Sequence, residues 1–240
     1  MLLLLALTLV CAACDRPASR TDETLSASGR LVAMSGGAGG AANACFSCHG
    51  LDGAGDGVST PRLAGLEAGY LLKQMEDYAS GVRPDSVMTP VSKALDDKAR
   101  QAVAAYYAGL APPVGRVDPI AVPALWSQGD AQRGLQPCAA CHGAAGEGVG
   151  AGQPALAGQP SAYLVDQLER WRHAKRRNDA RSAMTEIARG LTPEEVAAIS
   201  AWLERQPASP RPATDAASGF VAGQAAARSA ASREGRRLDR

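Results

Sequence analysis

Residues 45–50 read CFSCHG and residues 138–143 read CAACHG. In each, two thiols stand three residues apart and an imidazole follows the second at once. The likeness runs outward at a constant offset of 93: PRLAG (61–65) meets PALAG (154–158), and YLLKQMEDY (70–78) meets YLVDQLERW (163–171). Three residues are then inserted in the second copy, and at offset 96 MTPVSKAL (88–95) meets MTEIARGL (184–191). Tyr106 likewise meets Trp202. This is a tandem duplication of a unit of about 90 residues, too long for the period of a solenoid repeat.

Each unit is helical in pattern. Tyr70, Leu71, Gln74, Met75, Tyr78 and Val82 fall on one helix face, and Tyr163, Leu164, Gln167, Leu168 and Trp171 repeat them. Thr192-Pro193-Glu194-Glu195 is a capping box with proline at the first helical position, and Asp96 occupies the matching cap in the first copy. Little alternates with period two, so the predicted fold class is all-α, with a domain over 30–110 and another over 124–206. Residues 111–123 carry four prolines and read as a linker. Residues 207–240, rich in Ala, Ser, Pro and Arg, read as a disordered tail.

The first ten residues form an apolar run, too short to span a bilayer but suited to an export signal over 1–14. Ala12 and Ala13 precede Cys14 as in a bacterial lipobox. Lipidation of Cys14 would tether the mature chain to the membrane through the polar segment 15–29; the alternative is ordinary cleavage near Ala13. The expected location is the periplasm. The whole chain of 240 residues balances 25 basic against 24 acidic groups, which removes any global argument for nucleic-acid binding. Its 4% aromatic content is low for two cores, so something else must add bulk to them.

The cysteine spacing names that element. Two thiols so placed can reach the two vinyl groups of one porphyrin edge, with the adjacent imidazole beneath the iron: this is the attachment signature of a c-type haem. Four cysteines can also close a tetrahedral zinc site. Zinc leaves the histidine after each pair unexplained, and 89 residues between the pairs is not a zinc-ribbon spacing. The cofactors read from the motifs are therefore two covalent haem c groups, at Cys45, Cys48 and His49 and at Cys138, Cys141 and His142. A porphyrin also supplies the bulk that small aromatic-poor domains lack.

The sixth iron position is assigned by elimination. The third histidine, His173, lies in a charged run and reads as a surface residue. Of five methionines only Met88 and Met184 align with each other, while Met75 aligns with Leu168, a core position. Met/His ligation raises the reduction potential relative to His/His and closes the iron to other ligands. The Gly-rich stretches LDGAGDGVST and AAGEGVGAGQ follow the motifs rather than a strand, so they read as loops over the porphyrin edge and not as phosphate cradles. In the second unit Arg170, Arg172, Lys175, Arg176, Arg177 and Arg181 form a basic cluster that the first unit lacks. It reads either as a docking surface for an anionic partner or as a solvated helix face.

Each unit resembles a class I cytochrome c domain, and the pair is similar to the dihaem cytochrome c4 family, over about residues 30–207. The resemblance implies thioether links at the four motif cysteines, His49 and His142 as proximal iron ligands, and Met88 and Met184 as distal ones. It also implies that the carbonyls of Pro61 and Pro154 accept the proton of the ligand imidazole and orient its ring. The implied function is single-electron transfer in a bacterial periplasmic respiratory chain, from a membrane quinol-oxidising donor to a terminal oxidase. The alternative is the cytochrome subunit of a dehydrogenase complex, of the flavoprotein sulfide or quinoprotein alcohol type. A dihaem peroxidase or thiosulfate-oxidising enzyme needs an open or unusual iron site, which two methionine ligands argue against, so the chain reads as a carrier and not an enzyme.

Overall fold

A computed structural model describes residues 28–113 and 120–208. The export signal, Cys14, nearly all of the tether, the centre of the linker and nearly all of the tail lie outside them. Among the described residues are ten α-helices and no strand: α1 Gly29–Ser35, α2 Phe46–His49, α3 Ala68–Ser80, α4 Met88–Lys93, α5 Asp97–Ala108, α6 Ala124–Gln128, α7 Ala139–His142, α8 Ser161–Arg172, α9 Ala183–Gly190 and α10 Pro193–Glu204.

The helix starts follow the local chemistry. The Asp96 side chain accepts from Ala99 N at the head of α5. Thr192 and Glu195 complete the reciprocal capping box of α10, satisfying two backbone N–H groups that the first turn leaves free. In the first module α1 packs on α5, and α3 packs on α4 and α5. The α1–α5 crossing is close because Gly29 lies against Ala102, where a Cβ would come within 2.0 Å of the carbonyl oxygen. In the second module α8 packs on α9 and α10. There Trp126 of α6 packs at a tilt of 48° against Trp202 of α10, with ring centroids 4.9 Å apart. Each module has its own buried core, one around Val32, Leu71, Val103 and Tyr107, the other around Trp126, Leu164, Ile199 and Trp202.

The modules meet through their duplicated helices α3 and α8. Gln74 and Gln167, repeat partners on these helices, face two further repeat partners, Arg83 and Arg176, each only 4% exposed. Arg83 donates to Gln74 Oε1 at 2.8 Å and Gln167 Oε1 at 2.5 Å. Arg176 donates to the same two oxygens at 3.2 and 2.6 Å. The guanidinium groups also stack on Tyr78 and Trp171, 4.5 and 3.9 Å from the ring centroids. A pseudo-two-fold polar network thus joins the modules, and each cation is solvated by amide oxygens and aromatic faces in place of water.

This overturns the basic cluster as a single exposed surface. Arg176 is buried in the interface. Arg170 bonds Asp166 and, across the interface, Asp85. Arg172 bonds Glu169 and the carbonyls of Ala188 and Leu191. Only Lys175, Arg177 and Arg181 remain exposed. The sequence placed all six on one helix and loop but could not show that the first module engages Arg170 and Arg176 or that Arg172 is tied within its own module.

Candidate functional site

Each CxxCH forms a single helical turn. Cys45 is in the α region and its carbonyl accepts from His49 N at 2.9 Å; Cys138 and His142 repeat this at 2.9 Å. Positions i, i+3 and i+4 of a turn share a face, so both thiols and the imidazole are presented together. Cys45 and Cys138 are half-buried, while Cys48 and Cys141 are exposed. Burial raises the Cys45 pKa and pushes that of Cys138 up to about 11.

The chain then curls back over the turn. Gly55 N donates to His49 O at 2.9 Å, and Gly148 N to His142 O at 2.8 Å. Gly53 O accepts from Leu63 N and Ala64 N at 2.8 and 3.0 Å, and Gly146 O accepts from Leu156 N and Ala157 N at 2.7 and 2.9 Å. These bonds bring the proline carbonyl to the imidazole: Pro61 O lies 3.0 Å from His49 Nδ1, and Pro154 O lies 2.9 Å from His142 Nδ1. Gly55 and Gly148 have φ of 79° and 76°, and a Cβ at either would approach the Thr60–Pro61 or Pro154–Ala155 backbone to 2.3 and 2.5 Å. Only glycine combines that conformation with that contact. The Gly-rich loops therefore hold the proline segments, a role the sequence reading missed although the shared CHG-x-x-G-x-G spacing signals it.

With Nδ1–H donated to a carbonyl, the ring is fixed as the tautomer whose Nε2 carries the lone pair. Burial lowers the pKa of both imidazoles, with the proline carbonyls partly opposing, so the neutral, ligating form is favoured.

Met88 opens α4 and Met184 is the second residue of α9; both are half-buried. An aspartate anchors each segment. Asp85 Oδ1 accepts from Val87 N and Met88 N, both at 2.9 Å. Asp179 Oδ2 accepts from Thr185 N at 2.9 Å. The three inserted residues are taken up by a short turn at 180–182 ending in two left-handed residues, Arg181 (φ 55°) and Ser182 (φ 58°), so Met184 still begins a helix packed on α8. His173 is exposed and faces Glu169 at 3.3 Å. Each module presents two thiols and an imidazole oriented through Nδ1, buried at His49 and half-buried at His142, with a thioether on a separate helix; these are side-chain types that a c-type haem takes.

Two helical units, each built on a CxxCH turn with its proline clasp, define a tandem pair of cytochrome c domains, and the Cytochrome c family model matches residues 35–110 and 131–206. The chain is 37% identical to cytochrome c4 of Pseudomonas aeruginosa, over 75% of this chain and 94% of that protein. It belongs to the dihaem cytochrome c4 family, and as such is an electron carrier with two covalently bound haem c groups. A second relative, named thiosulfate dehydrogenase electron acceptor, from Stutzerimonas stutzeri, is 42% identical over 75% of this chain and 87% of that one. Among solved structures, thiosulfate dehydrogenase (TsdBA) from Marichromatium purpuratum superposes with a TM-score of 0.66 at 38% identity. That match covers 75% of this chain and 40% of the larger one.

Proposed function

We propose that this carrier takes electrons from a thiosulfate-oxidising dehydrogenase and passes them to a terminal oxidase in a bacterial periplasm. The observation that carries the donor is the 42% identity to a thiosulfate dehydrogenase electron acceptor over 87% of its length, so that the likeness includes both haem domains. Dehydrogenases release electrons in pairs, and a carrier with two one-electron sites held together by a buried interface is suited to accept both.

In this reading Cys45, Cys48, Cys138 and Cys141 hold the haems by thioether links, and His49 and His142 bind iron through Nε2. The Pro61 and Pro154 carbonyls fix those rings, and Met88 and Met184 supply the sixth ligands. The haem contributes the reversible one-electron change of its iron; the protein sets potential, orientation and access. Lys175 and Arg177 line a cleft of about 560 Å³ between the modules, beside Asp85, Ser86 and Thr89 of the segment that carries Met88. With Arg170 already paired to Asp85, these two cations are what an acidic partner surface would meet. Export follows from residues 1–14, with a lipid on Cys14 as tether.

The test is to mix the oxidised protein with a thiosulfate dehydrogenase and thiosulfate and follow haem reduction in a stopped-flow spectrometer. Rapid reduction of both haems is expected, with a salt dependence that Lys175→Glu/Arg177→Glu flattens. Reduction no faster than by thiosulfate alone removes the donor assignment, and unchanged salt slopes remove the docking cleft. Equal release of wild type and Cys14→Ser into the soluble periplasmic fraction removes the tether.

A further inference from the structure

Arg62 follows Pro61 directly and is 2% exposed. Its guanidinium donates to two backbone carbonyls, Ala64 O in its own module and Ala157 O of the second module at 2.9 Å. No carboxylate is among these partners, and Nε has no hydrogen-bond partner among the described residues. Burial alone lowers its pKa to about 10, still well above neutrality, so the group remains a cation. The backbone of Arg62 is gripped as well: its N–H donates to Gln159 Oε1 at 3.0 Å and its carbonyl accepts from Gln159 Nε2 at 2.9 Å.

This clasp has no counterpart in the other half. At the repeat-equivalent positions Ala155 stands for Arg62 and Leu66 stands for Gln159. Otherwise both modules present the same proline carbonyl to the same imidazole nitrogen, at 3.0 and 2.9 Å. The first site alone has a buried cation one residue from that carbonyl, and its proline segment is held from behind by the second module.

We infer that Arg62, clasped by Gln159, is a positioning and charge-bearing residue of the first haem site that raises its reduction potential and makes the two duplicated sites unequal. The inference rests on the assignment of His49 as an iron ligand. Oxidised haem iron carries one more positive charge than reduced iron. A fixed cation in a poorly solvated interior therefore disfavours the oxidised form, and the interaction is screened far less than at the surface. The hydrogen bonds of the guanidinium to Ala64 O and Ala157 O are to carbonyl dipoles, which carry no net charge to cancel that of the cation. The Gln159 bonds add a mechanical part, since they fix the peptide that carries the Pro61 carbonyl.

The experiment is a spectroelectrochemical redox titration of the full two-haem chain, resolving two steps, on wild type, Arg62→Met, Arg62→Lys and Gln159→Leu. Arg62→Met should shift one step only, with the electron affinity of that haem falling at least threefold, about 28 mV at about 59 mV per tenfold for a one-electron couple. Arg62→Lys should recover at least half of the shift. Gln159→Leu, which keeps the charge, should shift the same step by less than Arg62→Met. Should Arg62→Met not load two haems, Arg62→Gln is judged by the same criterion. The inference is overturned if neither step moves, if both move equally, or if Arg62→Lys falls as far as Arg62→Met. Failure of the ligand assignment would show separately, as a wild type without two low-spin haems per chain.

Discussion

In the first module the loop that delivers Pro61 is tied by a side chain: Asp56 accepts from the N–H groups of Val58, Ser59 and Thr60 at 2.8–2.9 Å. In the second module Val149 stands at that position, and the loop closes by backbone alone, Val149 N donating to Gln153 O at 3.1 Å. The carbonyl two residues after the histidine is likewise met from different directions. Tyr106 OH of α5 bonds Leu51 O at 3.0 Å, whereas Trp126 Nε1 of α6 bonds Ala144 O at 2.9 Å. The aspartate that anchors the methionine segment lies three residues before Met88 but five before Met184. What the duplication has kept is the set of backbone positions around the imidazole. The side chains that hold them have been exchanged freely, because any donor of suitable reach satisfies a given carbonyl. The interface is the contrary case, since there both copies kept the same Gln and Arg and use them reciprocally.

The sharpest way to separate the modules is to remove one attachment. Cys138→Ala/Cys141→Ala should reduce covalent haem from two per chain to one, read by haem staining and mass spectrometry, with the first module's spectrum retained. Loss of both haems would show that the modules do not hold their cofactors independently. Next in size, Met184→Ala and Met88→Ala should each lower the potential of one haem and let the reduced protein bind one carbon monoxide per chain. Met75→Leu, a packing position beside the first core, should bind none. Carbon monoxide binding by the wild type would break the assignment for both sites.

The interface symmetry is open to a matched pair. Gln74→Leu and Gln167→Leu each leave both buried guanidinium groups short of one acceptor, and each should cost about 2–3 kcal/mol in denaturant titrations. Costs differing more than about twofold would mean that the reciprocal geometry is not reciprocal energetically. The smallest effect expected is from Asp56→Asn. Hydrogen bonds from the Val58 and Thr60 backbone hold the Asp56 carboxyl well below the usual carboxylate range. Its folded-state pKa is depressed, so its contribution is full above the unfolded value of about 3.9 and is lost as pH falls through the folded one. The melting difference between wild type and Asp56→Asn should therefore be present at neutral pH, shrink in strong acid, and appear in the first module's haem absorbance only.

Much of this molecule is local and is legible in one dimension. The cysteine pair and histidine lie within one helical turn, so their spacing already carries the haem chemistry. A helix face repeats every three to four residues, so the all-α class and the caps at Asp96 and Thr192 can be read without coordinates, and comparing the copies singles out Met88 and Met184. The Gly55 and Gly148 backbone contacts were within reach of the same comparison, through the shared glycine spacing, but their purpose depends on a segment six residues further on. The interface was not legible. Gln74 and Gln167 look like ordinary positions on amphipathic helices, Arg176 looks like one more cation in a solvated run, and Arg62 looks like a surface residue beside a proline. Only the docking of the modules, α3 beside α8 and the Pro61–Arg62 segment against Ala157 and Gln159, turns them into buried partners. Burial and hydrogen bonding across 84 to 102 residues depend on which faces meet, and a helical period shows that a face exists without saying what covers it.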